Sequence, residues 1–137
     1  MVRTWTFADA CGNTSSVTQT ITVSDDTAPV APMAPADLTV QCAGDVPAPV
    51  DLTAVDNCDG DIIASPVGVI TPGGCANEFV MVRTWTFADA CGNTSSVTQT
   101  ITVSDDTAPV APMAPADLTV QCASDVPAAV DLSLIHI

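Results

Sequence analysis

The sequence contains very few basic residues for its length. Its 137 residues include sixteen acidic residues but only two basic ones, Arg3 and Arg83, and the formal net charge is −14. Nucleic-acid binding needs basic side chains that neutralise phosphate, and an anionic membrane surface would repel this charge. The composition therefore excludes nucleic acid as a partner. It is compatible with an acidic protein that repels its own copies or binds divalent cations.

Groups that would form a catalytic centre are also scarce. The chain has one glutamate, Glu78, one histidine, His136, and no lysine or tyrosine. A serine or cysteine nucleophile needs a neighbouring base, and the aspartates occur in turn segments where local hydrogen bonds explain them. We therefore expect no enzymatic activity. No apolar run reaches the about 18 residues of a membrane-spanning helix, so we expect no membrane insertion.

What the chain does contain is a long internal repeat. Residues 1–52 and 81–132 match at 50 of 52 positions. An internal repeat at a fixed offset, here 80 residues, is the signature of a tandem array of modules. The two differences are Ser124 in place of Gly44 and Ala129 in place of Pro49.

The repeat divides the chain into modules. We predict the second half of a preceding module over residues 1–26, a complete module over 27–106 and the first half of a following module over 107–132. Met1 aligns with an internal residue of the repeat, so we expect it to lie within a longer array. The lack of a signal peptide then carries no information. The repeat stops abruptly, and we interpret residues 133–137 as a non-native tail.

The residue pattern predicts an all-β fold. Hydrophobic residues make up 47% of the chain, and β-branched residues in short runs alternate with 11 prolines and 7 glycines, which is typical of a β-sandwich. Alternation of apolar and polar residues predicts the inward faces of the strands. The predicted strands are 38–42, 50–55, 62–70 with a break at Pro66, 79–88 and 96–104. The predicted core has Trp85 at its centre, with Leu38, Val40, Val97 and Ile101 on the facing strands.

Arg83 is the exception on the inward face. It has the same parity as Trp85 in the predicted strand 79–88, so both side chains point to one side of the sheet. A buried charge without a partner is costly. We therefore expect Arg83 to reach the rim of the sheet or to pair with an acidic side chain.

Six cysteines indicate a disulfide framework in an oxidising compartment. The alternative is a zinc site. However, the chain has no pair of cysteines separated by two residues, and its gaps of 31, 16, 17, 16 and 31 residues do not fit a zinc finger or ribbon. The spacing favours disulfides.

Several motifs of the chain, taken together, resemble a known family. They are the segments Leu38–Cys42, Ala54–Cys58, Arg83–Asn93, Thr98–Val103 and Asp106–Pro109. In this combination the chain is similar to the hyalin-repeat (HYR)-like modules found in tandem in large bacterial secreted and surface proteins. The resemblance implies a disulfide-stapled, immunoglobulin-like antiparallel β-sandwich at an extracellular or cell-surface location. It also implies a role in adhesion or as a spacer, without enzymatic activity.

The sandwich that the resemblance implies also suggests a cysteine pairing. In a sandwich of this type, the end of the first strand and the start of strand 79–88 lie at one pole. The ends of strands 50–55 and 79–88 lie at the other. We therefore predict the bridges Cys42–Cys75 and Cys58–Cys91. We expect Cys11 and Cys122 to be unpaired, because their partners would lie in the missing halves of their modules.

The repeat also creates a competition between identical segments. Residues 1–26 duplicate residues 81–106, so either copy is able to complete the sheet of residues 27–80. The upstream copy would have to cross the module from the end of one strand to the opposite pole, which strains the linker. We expect the downstream copy to complete the sheet.

Calcium is the sharpest site hypothesis, because Ca²⁺ takes six to eight oxygen ligands from acidic loops. Two groups of residues qualify. One lies at a pole of the module and the other at the module junctions. The alternative is that these residues only form turns and keep the protein soluble. The first group is Asp56, Asn57, Asp59, Asp61, Asp89 and Asn93, and the second is Asp25, Asp26, Asp105 and Asp106.

Together these observations predict a structural repeat of an extracellular bacterial protein that supports cell adhesion. Its expected partners are neighbouring identical modules in tandem. One alternative is a module that itself binds a surface glycan or protein, and another is an accessory domain of a secreted carbohydrate-active enzyme. An exposed aromatic side chain would favour glycan binding, because sugars stack on aromatic rings, and a buried Trp85 would disfavour it. No cofactor other than candidate calcium is expected.

Overall fold

The strands follow the alternating segments of the sequence. The computed structural model describes residues 1–133, and most of the suspected tail lies outside this range. Two short 3₁₀ helices, Ala43–Asp45 and Ala123–Asp125, are the only helical segments described, so the chain is all-β as predicted. The strands are β1 Val2–Ala8, β2 Thr14–Thr20, β3 Leu38–Val40, β4 Leu52–Asp56, β5 Gly60–Ala64, β6 Val67–Pro72, β7 Glu78–Ala88 and β8 Thr94–Ser104.

Within the described residues, the strands form three sheets. β1 and β2 form one antiparallel hairpin, and β4 and β5 form another. The third sheet has four strands in the order β3, β8, β7, β6. The downstream copy of the repeated hairpin, β7–β8, is therefore the one that joins β3, as expected from the sequence. None of the helices among residues 1–133 combines the length and apolarity needed to span a membrane.

The edge of the four-stranded sheet corrects one prediction. β3 runs parallel to β8, with Leu38 opposite Ile101, so a purely antiparallel arrangement is wrong. The reason is that both strands end beside the same residue. After β3, the N–H group of Ala43 donates to Asn77 Oδ1 at 2.9 Å, and after β8, the N–H group of Asp105 donates to the Asn77 carbonyl at 3.1 Å.

The chain forms two compact units, and β7 and β8 run through both. The first unit comprises Met1–Pro35, Pro49–Val67 and Thr84–Thr98. Its core is built from β4, β5 and β7, with Ala54, Ala64, Trp85 and Phe87 buried together. Trp85 is fully buried, and its Nε1–H group donates to the Val50 carbonyl at 2.8 Å. Trp85 therefore lies within the core of this unit, and Val97 packs against the same cluster.

The second unit comprises Ala36–Ala48, Gly68–Arg83 and the chain from Gln99 onward. Ile101 and Val103 of β8 are buried in it. Leu38 and Val40 of β3 are half-buried.

Arg83 differs from its prediction. Its guanidinium is buried in the second unit and donates to the carbonyl of Pro47, not to an acidic side chain. The buried guanidinium therefore has a polar partner in a backbone carbonyl, which accepts its hydrogen bond.

Candidate cation site

The last residue of β4 carries a buried carboxylate. Asp56 is only 5% exposed. Its Oδ2 atom accepts hydrogen bonds from the N–H groups of Cys58 at 2.8 Å and Asp59 at 3.0 Å, as aspartates do in tight turns. Its Oδ1 atom is buried and has no hydrogen-bond partner among the described residues. A buried carboxylate oxygen without a partner is costly, so a cation at this atom would be stabilising.

The turn between β7 and β8 closes on a second buried aspartate. Asp89 Oδ1 accepts hydrogen bonds from the N–H groups of Cys91 at 2.9 Å and Asn93 at 2.8 Å, and Oδ2 accepts one from Asn93 Nδ2 at 2.7 Å. Burial acts to raise the pKa of Asp89. The hydrogen bonds from Asn93, Cys91 and Gly92 outweigh it and hold the pKa below its ordinary value. Both carboxylate oxygens therefore stabilise the turn.

The segment before β3 brings another acidic residue to these loops. Asn93 Nδ2 donates to the backbone carbonyl of Asp25 at 3.1 Å. The carboxylates of Asp25 and Asp56 and the sulfur of Cys58 each offer one ligand atom, and these three atoms lie within 4.8 Å of one another. Groups this close are able to contact one metal ion, and all of them belong to the first compact unit.

The pKa of Cys58 reflects the negative charge of the neighbouring aspartates. Desolvation, followed by the charge of Asp25 and its hydrogen bond, raises the pKa of the Cys58 thiol, and Asp56 and Asp59 raise it further. The thiol therefore stays protonated to higher pH than an isolated cysteine. A divalent cation bound here would reverse this effect, because it would offset the neighbouring carboxylates.

The calcium ligands that were predicted at the pole of the module are only partly brought together. Asp59 Oδ2 accepts a hydrogen bond from the N–H group of Ala90 at 2.6 Å, and Asn57 Nδ2 donates to the Cys58 sulfur at 3.1 Å. Asp61 is an exposed residue of β5. Of this group, Asp56 has the buried carboxylate oxygen that lacks a hydrogen-bond partner in the described part of the chain. It lies beside Asp25, which was predicted as part of the separate junction group.

The other junction residues do not join the cluster of Asp25, Asp56 and Cys58. Asp26 is exposed. In the second compact unit, Asp105 Oδ1 accepts a hydrogen bond from the N–H group of Thr107 at 3.1 Å, and the N–H group of Asp106 donates to Gln41 Oε1 at 3.2 Å. The two junctions have the same sequence but different surroundings, so only the first one contributes to a cluster.

Sequence reasoning missed Cys58 as a neighbour of the carboxylates. The cysteine follows Asp56 by two residues in a turn that Gly60 closes with a φ of 76°. This short spacing was a usable signal, because an aspartate in a turn commonly accepts hydrogen bonds from the backbone of the next residues and so keeps them close to its carboxylate.

The structure shows no disulfide bond among the six cysteines, all of which lie within the described residues. The bridges Cys42–Cys75 and Cys58–Cys91 therefore stay predictions. The loops that carry each pair are nevertheless in contact. The Asp59–Ala90 hydrogen bond joins the immediate neighbours of Cys58 and Cys91, and the Ala43–Asn77 hydrogen bond joins the loops of Cys42 and Cys75.

Comparison with known proteins adds one finding. The family described as the HYR-like domain with 4 cysteines matches residues 30–103, which is more than half of the chain. The matched span contains four of the six cysteines, at positions 42, 58, 75 and 91. No curated protein and no solved structure gives a significant match.

Proposed function

Because the chain belongs to the family of HYR-like domains with four cysteines, we propose that it is a structural repeat of an extracellular or cell-surface protein. In this role it extends the parent chain and supports adhesion, with neighbouring identical modules in tandem as its partners. The proposal assigns no catalytic activity to the chain, and the lack of lysine and the scarcity of histidine and glutamate support this.

The burial of Trp85 is the observation that carries the proposal. The matched span has one tryptophan, and its ring is fully buried, with its polar N–H group bonded to the Val50 carbonyl. Phe87 is fully buried as well. An exposed aromatic ring would favour sugar binding, whereas these rings stabilise the core. The aromatic residues therefore support a structural role for the complete module.

The proposed module is an immunoglobulin-like β-sandwich over residues 27–106, flanked by the half-modules 1–26 and 107–132. The pairing of β3 with β8 supports these boundaries, because it joins the start of the module to its end. The contact of the Cys58 and Cys91 loops, and of the Cys42 and Cys75 loops, supports the two proposed disulfides and hence an oxidising, extracellular location.

The second candidate function is a module that binds a surface glycan or protein, alone or as an accessory domain of a secreted carbohydrate-active enzyme. One observation favours it: Trp5 and Phe7 of β1 are 45% and 59% exposed. However, the same residues of the repeat are buried at Trp85 and Phe87. The exposure of Trp5 and Phe7 therefore has a structural explanation, because β1 lacks the packing that buries the same residues in β7.

A glycan panel tests the structural role against the binding role. The full chain would be oxidised, labelled and screened at micromolar concentration. A structural repeat gives no saturable signal. A signal that saturates, and that Trp5→Ala removes while Ile63→Ala leaves it intact, would replace the structural role by glycan binding. Ile63 is a suitable control because it is 67% exposed in β5.

We further propose that Ca²⁺ binds between Asp25 and Asp56. The unpartnered, buried Oδ1 atom of Asp56 and the nearby Asp25 carboxylate support this site. Calcium takes oxygen ligands, so backbone carbonyls and water would complete its shell while Cys58 stays available for a disulfide. A bound ion would fix the segment that precedes the complete module to the loop after β4.

Thermal melts of the oxidised full chain in calcium and in chelator test the ion site. A ligand at about 100 times its Kd stabilises the folded state by ~2.7 kcal/mol, so the Tm is expected to rise by several degrees. Asp56→Asn is expected to abolish the rise, and Asp61→Asn, in an exposed part of β5, is expected to keep it. An equal rise in both variants would reject the assigned ligands.

A further inference from the structure

The chain carries the same hairpin in two states. β1–β2 and β7–β8 share their sequence from Met1 to Asp26 and from Met81 to Asp106. Trp85 and Phe87 are fully buried, whereas Trp5 and Phe7 are 45% and 59% exposed. A bare face of this kind marks an interaction surface, and here the covered copy identifies the segment that fits on it.

Much of what holds the covered hairpin comes from the segment 27–52. Three donors of β7 and β8, the side chains of Arg83, Trp85 and Gln99, reach carbonyls of that segment. The N–H group of Thr100 donates to Asp37 Oδ1 at 2.7 Å, and β3 adds its parallel pairing to β8. The carbonyls belong to Pro47, Val50 and Ala36.

Every one of these acceptors has a copy near the other end of the chain. Residues 107–132 repeat residues 27–52, with Ala116, Asp117, Pro127 and Val130 at the acceptor positions. This segment contains no β-strand among its residues, all of which are described. Leu118, the counterpart of the half-buried Leu38 in β3, is 65% exposed. The segment therefore has the sequence of a partner for the hairpin but not its conformation.

The hairpin lacks the matching contacts. The side chains of Arg3, Trp5 and Gln19 donate no hydrogen bond within residues 1–133. We propose that the hairpin of residues 1–26 in one copy of the chain docks on the segment 107–132 of a second copy. The segment 118–120 then pairs with residues 21–23 as β3 pairs with β8, and Trp5 donates to the Val130 carbonyl.

The proposed contact is head-to-tail, because it joins different ends of two identical chains. Such a contact leaves one free hairpin and one free segment, so it extends to further copies unless it closes into a ring. It is also incomplete, since Ala54 and Ala64, which cover Trp85, have no copy in the segment 107–132. With a net charge of −14 on each copy, the association is expected to be weak and to strengthen with salt.

Sedimentation equilibrium of the reduced full chain at high salt measures this association. The average mass is expected to rise with concentration from 13.9 kDa towards multiples of that value. Trp5→Ser removes a large aromatic anchor and is expected to weaken association by about tenfold or more. Val69→Ser, at a 64% exposed position of β6, is the matched control and is expected to leave it unchanged.

Leu118→Asp tests the other half of the contact and lies outside every described strand, so it leaves the strands intact. In the absence of other variants, the Leu118→Asp chain is expected not to associate with itself. A mixture of Trp5→Ser and Leu118→Asp is expected to form a 1:1 dimer, because each variant keeps one intact end. A wild-type chain that stays monomeric up to high micromolar concentration would overturn the proposal in favour of no self-association. Association that Leu118→Asp leaves unchanged would overturn it in favour of hairpin-to-hairpin contact.

Discussion

At the scale of single residues, the turn between β7 and β8 is held by its own side chains. The Asp89 carboxylate accepts hydrogen bonds from two backbone N–H groups and from the Asn93 side chain. The same turn in the upstream hairpin has the same three bonds, made by Asp9 with Cys11 and Asn13. These contacts form whether the hairpin is covered or bare, so they are local properties of the sequence.

Gly92 gives the first prediction. Its φ of 91° lies in a region that favours glycine, and a Cβ atom there meets no other atom within 4 Å. Gly92→Ala is therefore expected to destabilise the chain through the backbone alone, by about 1 kcal/mol in urea unfolding. Gly44→Ala is the control, because Gly44 also has open space but no positive φ. The explanation fails if both substitutions change stability equally.

Asp89 gives a prediction about pH. Its pKa in the folded chain lies below the ordinary value of 3.8, so its stabilisation is present above that value and is lost as the pH falls through the folded pKa. Asp89→Ala is expected to lower the Tm at neutral pH, and the difference from wild type is expected to shrink as the pH falls below 3.8. A difference that stays constant down to strongly acidic pH would contradict this role.

Asp9→Ala is the matched control for the pH series. It removes the same carboxylate from the same turn in the β1–β2 hairpin, and hydrogen bonds led by that from Asn13 likewise lower the pKa of Asp9. Because Asp9 is exposed, we expect its loss to leave the main unfolding transition unchanged.

At the scale of elements, the short strand β3 is fixed at the sheet edge by side chains of its neighbours. The strand has only three residues. Gln99 is buried in β8, and its Nε2 group donates to the Ala36 carbonyl at 2.9 Å just before β3 begins. Asp37 and Gln41, on either side of the strand, accept from the N–H groups of Thr100 and Asp106. Contacts at both ends thus compensate for the small number of paired residues.

The hydrogen bonds at the ends of β3 predict that the same substitution has different effects on stability at two equivalent glutamines, Gln99 and Gln19. Gln99→Ala removes a buried hydrogen bond and leaves a cavity, so it is expected to cost about 1–3 kcal/mol in urea unfolding. Gln19→Ala, the same change in the exposed strand β2, is expected to change stability by less than about 0.5 kcal/mol. Equal effects of the two substitutions would mean that Gln99 does not hold the strand.

At the scale of the whole molecule, the proposed disulfides are expected to contribute much of the stability of an oxidised chain. Each of the bridges Cys42–Cys75 and Cys58–Cys91 closes a loop of about 33 residues, worth ~3–4 kcal/mol in the chain-entropy estimate. Among residues 1–133, the fully buried large side chains are few, namely Trp85, Phe87, Ile101 and Val103. A small core of this kind gains more from crosslinks than a large one does.

Oxidation and peptide mapping test the bridges. The oxidised chain is expected to unfold at higher urea than the reduced chain, and non-reduced peptides are expected to join residue 42 to 75 and residue 58 to 91. Cys58→Ser is expected to lose one crosslink's stabilisation, and Cys11→Ser, at a cysteine predicted to be unpaired, to lose none. Bridges between Cys42 and Cys58 would contradict the pairing.

The sequence by itself determined the features that depend on near neighbours. The alternation of residues predicted the strands to within a few positions and placed Trp85, Ile101 and Val97 on inward faces. The Asp-Ala-Cys-Gly-Asn turn forms twice with the same hydrogen bonds. The motifs also identified the HYR-like family. Each of these depends on periodicity or on contacts within a few residues, which identical segments share.

The tertiary structure decided the strand pairing, burial and side-chain contacts in which identical segments differ. Leu38 pairs with Ile101 in a parallel strand, whereas Leu118 in the same local sequence belongs to no strand. Trp85 is buried and Trp5 is exposed. The meeting of Asp25 with Asp56 and Cys58 likewise joins segments distant in sequence. Local sequence is the same in each repeated pair, so the difference arises from which other segment lies against it, and that is fixed only when the chain folds.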